Sequence, residues 1–243
     1  MIVSEINIKE AIILAGGFGT RLRNSIKDIP KPMAPMADGK PFLEHLIEML
    51  AKNGITTIVL SVGYKSEKIV EHFGYKFNKI EIKYAIEDDP LGTGGAIKKS
   101  LALCLTQKVL VLNGDTYLDL NSDDIKKAAE SKHSRVLLVL KKVEHPGRYG
   151  IADISDSFII SLSKRQTNEP GLINTGYYIT DINLLDNFDL NTKFSFEDDF
   201  LQNEIRERNV SYYITDKFFI DIGIPEDYQK SKDKILELKN YAQ

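Results

Sequence analysis

Short apolar runs alternate with amphipathic segments through the first two thirds of the chain, and this alternation constrains the fold more than any other feature. Residues 11–15 form a continuous apolar run followed directly by Gly16-Gly17, a pattern typical of a buried parallel strand. Apolar residues then recur at i, i+3, i+4 and i+7 over residues 43–50, and this helix face closes at Asn53-Gly54. The alternation predicts an α/β fold with a doubly wound, mostly parallel sheet.

The same patterns predict the remaining elements of the first part of the chain. We expect further strands at Thr57 to Val62, Ile80 to Ile86, Lys108 to Leu112 and Arg135 to Val143. We expect helices at Ser66 to Phe73, Thr93 to Leu105 and Asp123 to Lys132, the first capped by Ser66 and ended by Gly74. Cys104 then lies in an apolar helical stretch, and we interpret it as a core residue.

Beyond Val143 the pattern changes to shorter strands. They are expected at Gly150 to Ile154, Ile159 to Ser163, Ile173 to Ile179 and Tyr212 to Thr215, with a helix near Phe196 to Arg208 and a last helix from Pro225. We predict a single domain over residues 1–243. Its first part spans about 9–143, and a smaller α+β part at about 144–243 covers the open face of the sheet and shares its core.

Charge and composition exclude several classes of protein. The formal net charge is −3, with 32 basic and 35 acidic residues, so no general attraction to nucleic acid or anionic lipid is expected. Cys104 is the one cysteine, which excludes an internal disulfide, and no apolar run approaches the length of a membrane span. We expect a cytoplasmic protein with no membrane partner. The sequence leaves a homo-oligomer open, because an interface would resemble any apolar helix face.

The most informative motif is Leu14-Ala15-Gly16-Gly17-Phe18-Gly19-Thr20-Arg21-Leu22, followed by Pro30-Lys31-Pro32. Three glycines after a buried strand let the backbone approach a ligand and present N–H groups to it. Arg21 adds a forked donor that suits phosphate oxygens, and Lys31 adds a compact cation. Leu22 stands where a dinucleotide fingerprint requires glycine, and the P-loop pattern is absent. The motif therefore predicts a different kind of phosphate-binding loop.

The string G-G-x-G-T-R-L followed by P-K resembles the signature of the sugar nucleotidyltransferases, which join a sugar 1-phosphate to a nucleoside triphosphate and release pyrophosphate. The resemblance extends over nearly the whole chain and implies a Rossmann-like fold of the GT-A type, with a nucleotide-binding first part and a sugar-binding second part. It implies catalytic roles for Arg21 and Lys31 on the phosphoryl groups. It also implies triphosphate contacts from Leu14, Ala15, Gly16, Gly17, Gly19 and Thr20.

A second glycine-rich loop, Glu87 to Gly95, opens the helix after a predicted strand. Guanine offers two adjacent donors on its Watson–Crick edge, and one carboxylate accepts both, whereas uracil and thymine offer a single donor. The family resemblance implies that this loop binds the base, with contacts from Glu87, Gly92 and Thr93 and a further nucleotide contact from Gly114. Glu87 favours guanine.

Two aspartates follow apolar strands that are far apart in the sequence. Asp115 follows Asn113-Gly114 and Asp221 follows Ile220. A carboxylate at the end of an apolar run requires a partner or a cation, and Mg²⁺ is bound by one or two carboxylates while it keeps waters and phosphate oxygens. The resemblance implies that both aspartates bind the metal and that Mg²⁺ is the cofactor. Asp123-Asp124 and Asp198-Asp199 are interpreted as helix-end and surface acids.

The second part of the chain carries motifs that resemble the family's sugar-phosphate site. They imply sugar-phosphate contacts from Tyr149, Gly150, Lys164 and Asn174, although Ser163 replaces the family glutamate before Lys164. Longer strings, including Phe194 to Glu197 and Phe219 to Tyr228, resemble the D-glycero-α-D-manno-heptose 1-phosphate guanylyltransferases, which make GDP-heptose for surface polysaccharides. The expected substrates are therefore GTP and this heptose 1-phosphate.

These observations predict a single in-line displacement, in which the sugar phosphate attacks the α-phosphorus of the triphosphate. Uridylyl-, thymidylyl- and cytidylyltransferases and mannose 1-phosphate guanylyltransferases remain alternatives. A glycosyltransferase would carry a D-x-D pair, which Asp115-Thr116-Tyr117 lacks, and would leave Lys31 unexplained. A non-catalytic nucleotide- or sugar-binding regulatory subunit would be expected to lose the arginine, the lysine or a metal carboxylate.

Overall fold

The computed structural model describes residues 8–17, 29–130, 134–164, 167, 169–189 and 192–241. The strands within these ranges are β1 (Glu10–Leu14), β2 (Thr57–Val62), β3 (Lys76–Phe77), β4 (Ile80–Ile86), β5 (Lys108–Asn113), β6 (Thr116–Leu118), β7 (Val136–Val143), β8 (Ile151–Ser155), β9 (Phe158–Ser163), β10 (Gly171–Asp181), β11 (Val210–Thr215) and β12 (Phe219–Asp221). The α-helices are α1 (Phe42–Lys52), α2 (Ser66–Phe73), α3 (Gly92–Leu101), α4 (Ser122–Glu130), α5 (Gln202–Arg206) and α6 (Pro225–Tyr241). A 3₁₀-helix covers Lys31–Met33 and a π-helix covers Phe196–Leu201.

Ten strands form one sheet in the order β3-β4-β2-β1-β5-β10-β7-β11-β9-β8, and β6 and β12 form a separate ribbon. Strands β4, β2, β1 and β5 are parallel neighbours, which agrees with the predicted α/β fold. Strand β10 runs antiparallel between β5 and β7, and β7 and β11 are again parallel. The sheet is mostly parallel in direction, with β3, β9 and β10 opposed to the others.

The strand register brings several loops to one edge of the sheet. Leu14 at the end of β1 pairs with Ser61 on one side and Asn113 on the other, and Val62 pairs with Ile86. In parallel sheets ligands bind at the carboxyl ends of the strands, so the loops after β1, β4 and β5 meet where a site is expected. The ribbon extends this edge, because the Ile222 amide donates to the Asp115 carbonyl at 2.9 Å.

Two apolar layers cover the two faces of the sheet. Ile13 packs with Leu46 of α1 and Ile235 of α6, whereas Ile12 packs with Ile97 of α3 and Phe200 of the π-helix. Successive strand residues point to opposite faces, which explains why Ile12 and Ile13 belong to different layers. Both layers contain residues from the first and second parts of the chain. On β10, for example, Tyr177 belongs to one layer and its neighbour Tyr178 belongs to the other.

The second part of the chain places α6 and the π-helix against the faces of the sheet, and it also extends the sheet, which the sequence did not predict. Strands β7, β11, β9 and β8 continue the sheet beyond β10, and β8 also pairs with the start of β10. The physical reason is the length of β10. This strand is long enough for its second half to pair with β5, while its first half pairs with β7 and β8.

Two details of the predicted helices are wrong. Helix α2 has Lys65 at its N-cap in a left-handed conformation, with φ of 54° and no side-chain cap, and Ser66 is the first helical residue. Helix α3 ends at Leu101 because the amides of Leu105 and Thr106 both donate to the buried carboxylate of Glu10 at 2.6 Å. Cys104 therefore lies after the helix, although it is buried as predicted.

Within the described ranges of the chain, no helix combines the length and the apolar character that crossing a bilayer requires.

Candidate active site

A cavity of about 440 Å³ lies at the carboxyl ends of the parallel strands. Its walls contain most of the residues predicted to bind nucleotide, together with the predicted catalytic lysine and one predicted metal ligand: Leu14, Ala15, Gly16, Gly17, Lys31, Glu87, Gly92, Thr93, Gly114 and Asp115. Gly19, Thr20 and Arg21 lie outside the described residues. We call this the nucleotide cavity.

Glu87 is fixed in this cavity by two hydrogen bonds. The Ser61 hydroxyl donates to Oε1 at 2.9 Å, and the Leu91 amide donates to Oε2 at 2.9 Å. Each carboxylate oxygen keeps a further lone pair, so the group can still accept two donors side by side. Ser61 was not identified from the sequence, because nothing in its strand distinguishes it from a core position.

Several glycines allow close backbone approaches around this cavity. A Cβ at Gly114 would lie 2.6 Å from the Leu14 carbonyl oxygen, and one at Gly94 would lie 2.1 Å from the Phe194 ring. Gly92 has a φ of +70°, and a Cβ there would lie 2.5 Å from the Phe194 carbonyl oxygen. The predicted base-binding loop, Glu87 to Gly95, which we call the base loop, is therefore packed against the segment around Phe194, which belongs to the second part of the chain.

Lys31 and Asp115 form an ion pair at the floor of the nucleotide cavity. The Lys31 side chain is only 13% exposed, and it extends from the 3₁₀-helix that Pro30 and Pro32 constrain. A largely buried ammonium group requires a counter-charge, and Asp115 provides it. A triphosphate entering the cavity would offer the lysine a second set of anionic oxygens.

A second cavity of about 510 Å³ adjoins the first and shares Asn113 with it. Its walls contain the four predicted sugar-phosphate residues and the other predicted metal ligand: Tyr149, Gly150, Lys164, Asn174 and Asp221. We call it the sugar cavity. The junction depends on Gly176, which lies at a bulge in β10 with φ of +75°, because a Cβ there would lie 2.3 Å from the Asn113 amide nitrogen.

Asp221 meets both positive and negative groups at this junction. Its carboxylate accepts hydrogen bonds from the Gly223 amide and forms an ion pair with Arg148 at 3.1 Å. Arg148 also binds Asp227 at 2.7 Å. Burial, followed by repulsion from Asp115, raises the pKa of the Asp221 carboxyl above its usual range, with Arg148 opposing the shift. Neither Arg148 nor Asp227 was identified from the sequence, because ion pairs over this separation leave no local pattern.

The pair Asp115 and Asp221 fits a divalent cation chemically. Both are oxygen donors, and their mutual repulsion is the kind that a hard cation relieves. Among the described residues, no group of three or more histidines, cysteines or acids could bind a metal. A metal at this pair would complete its coordination with water or substrate oxygens.

Lys164 and Asn174 are engaged by acidic residues of the π-helix. Lys164 Nζ lies 3.0 and 2.8 Å from the two oxygens of Asp198. Asn174 donates to Glu197 at 3.0 Å and to the Tyr178 hydroxyl at 3.0 Å. Asp198 is exposed, as expected for a surface acid, but it also lines the sugar cavity, which the sequence interpretation missed. Glu197 was quoted only within a family-like string and was assigned no role.

The sequence is similar to a known family over most of its length. Residues 10–237 match the profile of the nucleotidyl transferase family. The chain is 46% identical over 220 residues to a D-glycero-alpha-D-manno-heptose 1-phosphate guanylyltransferase of Campylobacter jejuni, covering 90% of this chain and 96% of the relative. It is 42% identical to the enzyme of the same name from Aneurinibacillus thermoaerophilus, covering 96% of this chain and 99% of the relative.

Solved structures give the same picture. The crystal structure of HddC from Yersinia pseudotuberculosis complexed with GMP-PN matches with a TM-score of 0.83 and 37% identity, covering 93% of this chain and 99% of that chain. These similarities confirm the fold and the resemblance to sugar nucleotidyltransferases that the motifs indicated. Enzymes of this kind typically use a divalent metal. The roles of the individual site residues stay predictions.

Proposed function

The chain belongs to the nucleotidyl transferase family, and from that premise we propose that it transfers GMP from GTP to D-glycero-α-D-manno-heptose 1-phosphate. The products are GDP-heptose and pyrophosphate. The relatives named above supply the substrate pair, since their names specify this heptose and a guanylyl group. The high coverage supports the transfer, because the matched regions span 96% and 99% of the two relatives.

The observation that carries the proposal is the pair of adjoining cavities that share Asn113. One carries a glycine-rich loop and the other carries polar side chains suited to a sugar phosphate. Asp115 lines the first and Asp221 lines the second. A reaction between two bound phosphates requires this kind of adjacency, because holding the reactants side by side contributes much of the rate enhancement.

The proposed reaction is one in-line displacement. An oxygen of the sugar 1-phosphate forms a bond to the α-phosphorus of GTP, and the bond to the bridging oxygen of pyrophosphate breaks. The described residues need no general base for this step, because the attacking phosphate is already anionic. Lys31 stabilises the developing charge on the α-phosphoryl group, and Arg21 steadies the leaving pyrophosphate. Asp115 and Asp221 would hold a magnesium ion, which would supply neutralising charge for the phosphates.

Guanine selection is assigned to Glu87. Its two oxygens are fixed by Ser61 and the Leu91 amide, so the carboxylate cannot rotate to suit another base. The N1–H and 2-amino groups of guanine match its free lone pairs.

We place the protein in the cytoplasm, where GTP is available, and assign its product to surface polysaccharide synthesis.

Pyrophosphate release tests the proposal directly. The purified protein is assayed with magnesium against GTP, CTP, UTP, dTTP and ATP, each combined with heptose, mannose and glucose 1-phosphates. We expect strong release only with GTP and the heptose. Preference for a different base contradicts the role of Glu87, and preference for mannose 1-phosphate redirects the sugar assignment. No release in any combination contradicts the catalytic proposal as a whole. Reactions without sugar phosphate correct for nucleotide hydrolysis.

A further inference from the structure

Glu197 is a carboxylate of the sugar cavity to which the reaction above gives no role. It is the second residue of the π-helix, and it is partly exposed. The Tyr178 hydroxyl donates to its Oε1 at 2.7 Å, and Asn174 Nδ2 donates to the same oxygen at 3.0 Å. Tyr178 is itself buried in β10, so one side of the carboxylate is anchored to the sheet.

These two bonds leave the other oxygen, Oε2, with no hydrogen-bond donor among the described residues. A carboxylate accepts about four hydrogen bonds in total, so Glu197 keeps substantial accepting capacity. A partly buried acceptor without a partner loses hydration that something else must replace. Glu197 therefore has capacity for a donor supplied by water or by a ligand in the cavity.

Asn174, in contrast, has little capacity left. Its two amide hydrogens go to the Tyr178 hydroxyl and to Glu197, and its Oδ1 accepts from the Gly176 amide at 3.0 Å. Asn174, which the motifs assign to the sugar phosphate, therefore also orients Glu197 through its hydrogen bond. The acceptor that this network presents to the cavity is a carboxylate oxygen.

The other polar groups of the cavity divide by charge. Lys164 and Arg148 are cations suited to the phosphate of the substrate, and Asp198 is occupied by Lys164. Ser163 Oγ is buried and has no hydrogen-bond partner within the part of the chain that the structure describes. A carboxylate repels phosphate, so Glu197 and Ser163 suit the neutral hydroxyl groups of a sugar, which donate and accept hydrogen bonds.

The backbone of Glu197 is fixed as well. The amide of Phe196 donates to the Thr93 hydroxyl at 2.9 Å, and the Phe196 ring contacts the Tyr178 ring with centroids 5.2 Å apart. The position of Glu197 is therefore set by the base loop on one side and by β10 on the other. An acceptor held this way before the ligand arrives discriminates better than a mobile one.

We propose that Glu197 selects the sugar, accepting a hydrogen bond from a ring or side-chain hydroxyl of the bound sugar 1-phosphate through Oε2. The inference rests on the proposed function, because it assumes that the sugar cavity binds a sugar 1-phosphate. Tyr178 and Asn174 are positioning residues that act through Glu197.

Steady-state kinetics with Glu197→Gln test the proposal, because this substitution keeps the shape and an acceptor for Tyr178 but removes the charge. We expect the KM for heptose 1-phosphate to rise about 10- to 100-fold, the range for a hydrogen bond to a charged group, while the KM for GTP stays the same. Tyr178→Phe should raise the same KM less, since it removes one anchor and leaves the carboxylate. Glu207→Gln, an exposed acid outside both cavities, is the matched control.

Deoxy sugars separate recognition from a structural role. Calorimetric binding of heptose 1-phosphate and its monodeoxy analogues is measured with the wild type and with Glu197→Gln. The analogue that lacks the recognised hydroxyl should bind the wild type more weakly than the parent sugar does, by the same factor by which Glu197→Gln weakens binding of the parent sugar. The variant should bind this analogue as tightly as the wild type does. Equal losses for every analogue in both proteins, or an unchanged sugar affinity in the variant, overturn the inference.

The same measurements distinguish failure of the inference from failure of the reaction. Turnover by the wild type combined with sugar binding that does not depend on Glu197 overturns the inference alone. Sugar binding that depends on Glu197 without turnover by the wild type supports the inference and overturns the proposed reaction. Absence of both turnover and sugar binding overturns both.

Discussion

The two cavities adjoin each other but are built differently. The nucleotide cavity is formed by glycine-rich loops that directly follow parallel strands, and its walls depend on close backbone approaches such as that between Gly114 and Leu14. The sugar cavity is formed by residues from six separated segments, and two ion pairs join charged residues of its walls. Arg148 binds Asp221 and Asp227, and Lys164 binds Asp198.

The difference shows how each cavity responds to change. The nucleotide cavity should be destabilised when one of its closely packed glycines gains a Cβ, because the neighbouring backbone can move away only at a cost in free energy. The exposed ion pair of Lys164 and Asp198 in the sugar cavity should tolerate substitution in stability, since exposed ion pairs contribute little. Substitution there should nevertheless change function, because we propose that the charges of this cavity recognise the substrate. Four predictions test this contrast.

The largest effect is expected for Lys31→Ala. Removing this cation should lower kcat about 10²- to 10³-fold, as the loss of one preorganised charge stabiliser does in other enzymes. Stopped-assay rates at saturating substrates give the value. Lys40→Ala, which removes a lysine paired with Glu44 and Glu48 outside both cavities, should leave kcat near the wild-type rate. Near-normal turnover of folded Lys31→Ala would contradict the catalytic role.

Asp221→Asn should raise the magnesium concentration required for half-maximal rate. We expect a rise of at least about 10-fold, since even residues that only support a metal ligand cost 10- to 100-fold in metal affinity. A magnesium titration at fixed GTP provides the measurement. Because Arg148 stays in place in this variant, such a rise would also show that its positive charge does not replace that of the metal. A titration that coincides with the wild type would remove Asp221 from the metal site.

Gly114→Ala should destabilise the fold. The new Cβ would lie 2.6 Å from the Leu14 carbonyl oxygen and within 3.3 Å of the Ala15 Cα, so strands β1 and β5 must separate locally. We expect the free energy of unfolding to fall by about 1–3 kcal/mol, the usual cost of overpacking. Urea denaturation measures it. Gly17→Ala, where a Cβ would meet no described residue within 4 Å, is the stability control.

The smallest effect is expected for Asp198→Asn. Its ion pair with Lys164 is exposed, so the free energy of unfolding should change by less than about 1 kcal/mol. In this variant Lys164 no longer has to give up its ion pair with Asp198 in order to bind the substrate phosphate. The KM for the sugar 1-phosphate should therefore fall, by no more than about fivefold. A rise in that KM would instead assign Asp198 a direct contact with the sugar.

The nucleotide cavity could largely be predicted from the sequence. Its residues are contiguous in the motif after β1 and in the loop before α3, so local spacing alone brings Gly16, Gly17, Gly92 and Thr93 to the ends of neighbouring strands. Parallel pairing then places those ends at one edge. Ser61 escaped prediction because it lies on β2, outside the motifs, and the Leu91 amide escaped it because the loop sequence does not show which backbone amide turns towards Glu87.

The sugar cavity could be predicted only in outline. Lys164 and Asn174 were found through family-like motifs, but their partners Asp198 and Glu197 lie more than 20 residues away along the chain. Arg148 and Asp227 are separated by 79 residues. A contact between distant residues depends on strand order, and the extension of the sheet by β8–β11 was not predicted.

The sequence by itself determined most of the order of strands and helices, the position of the glycine-rich loop after β1 and the family of the protein, because these depend on local periodicity and on contiguous motifs. The tertiary structure decided where helix α3 ends, which face each layer covers and how the charges pair. Those outcomes depend on which groups meet across the sheet. The carboxylate of Glu10 ends α3, and the bulge at Gly176 lets Asn113 join the two cavities.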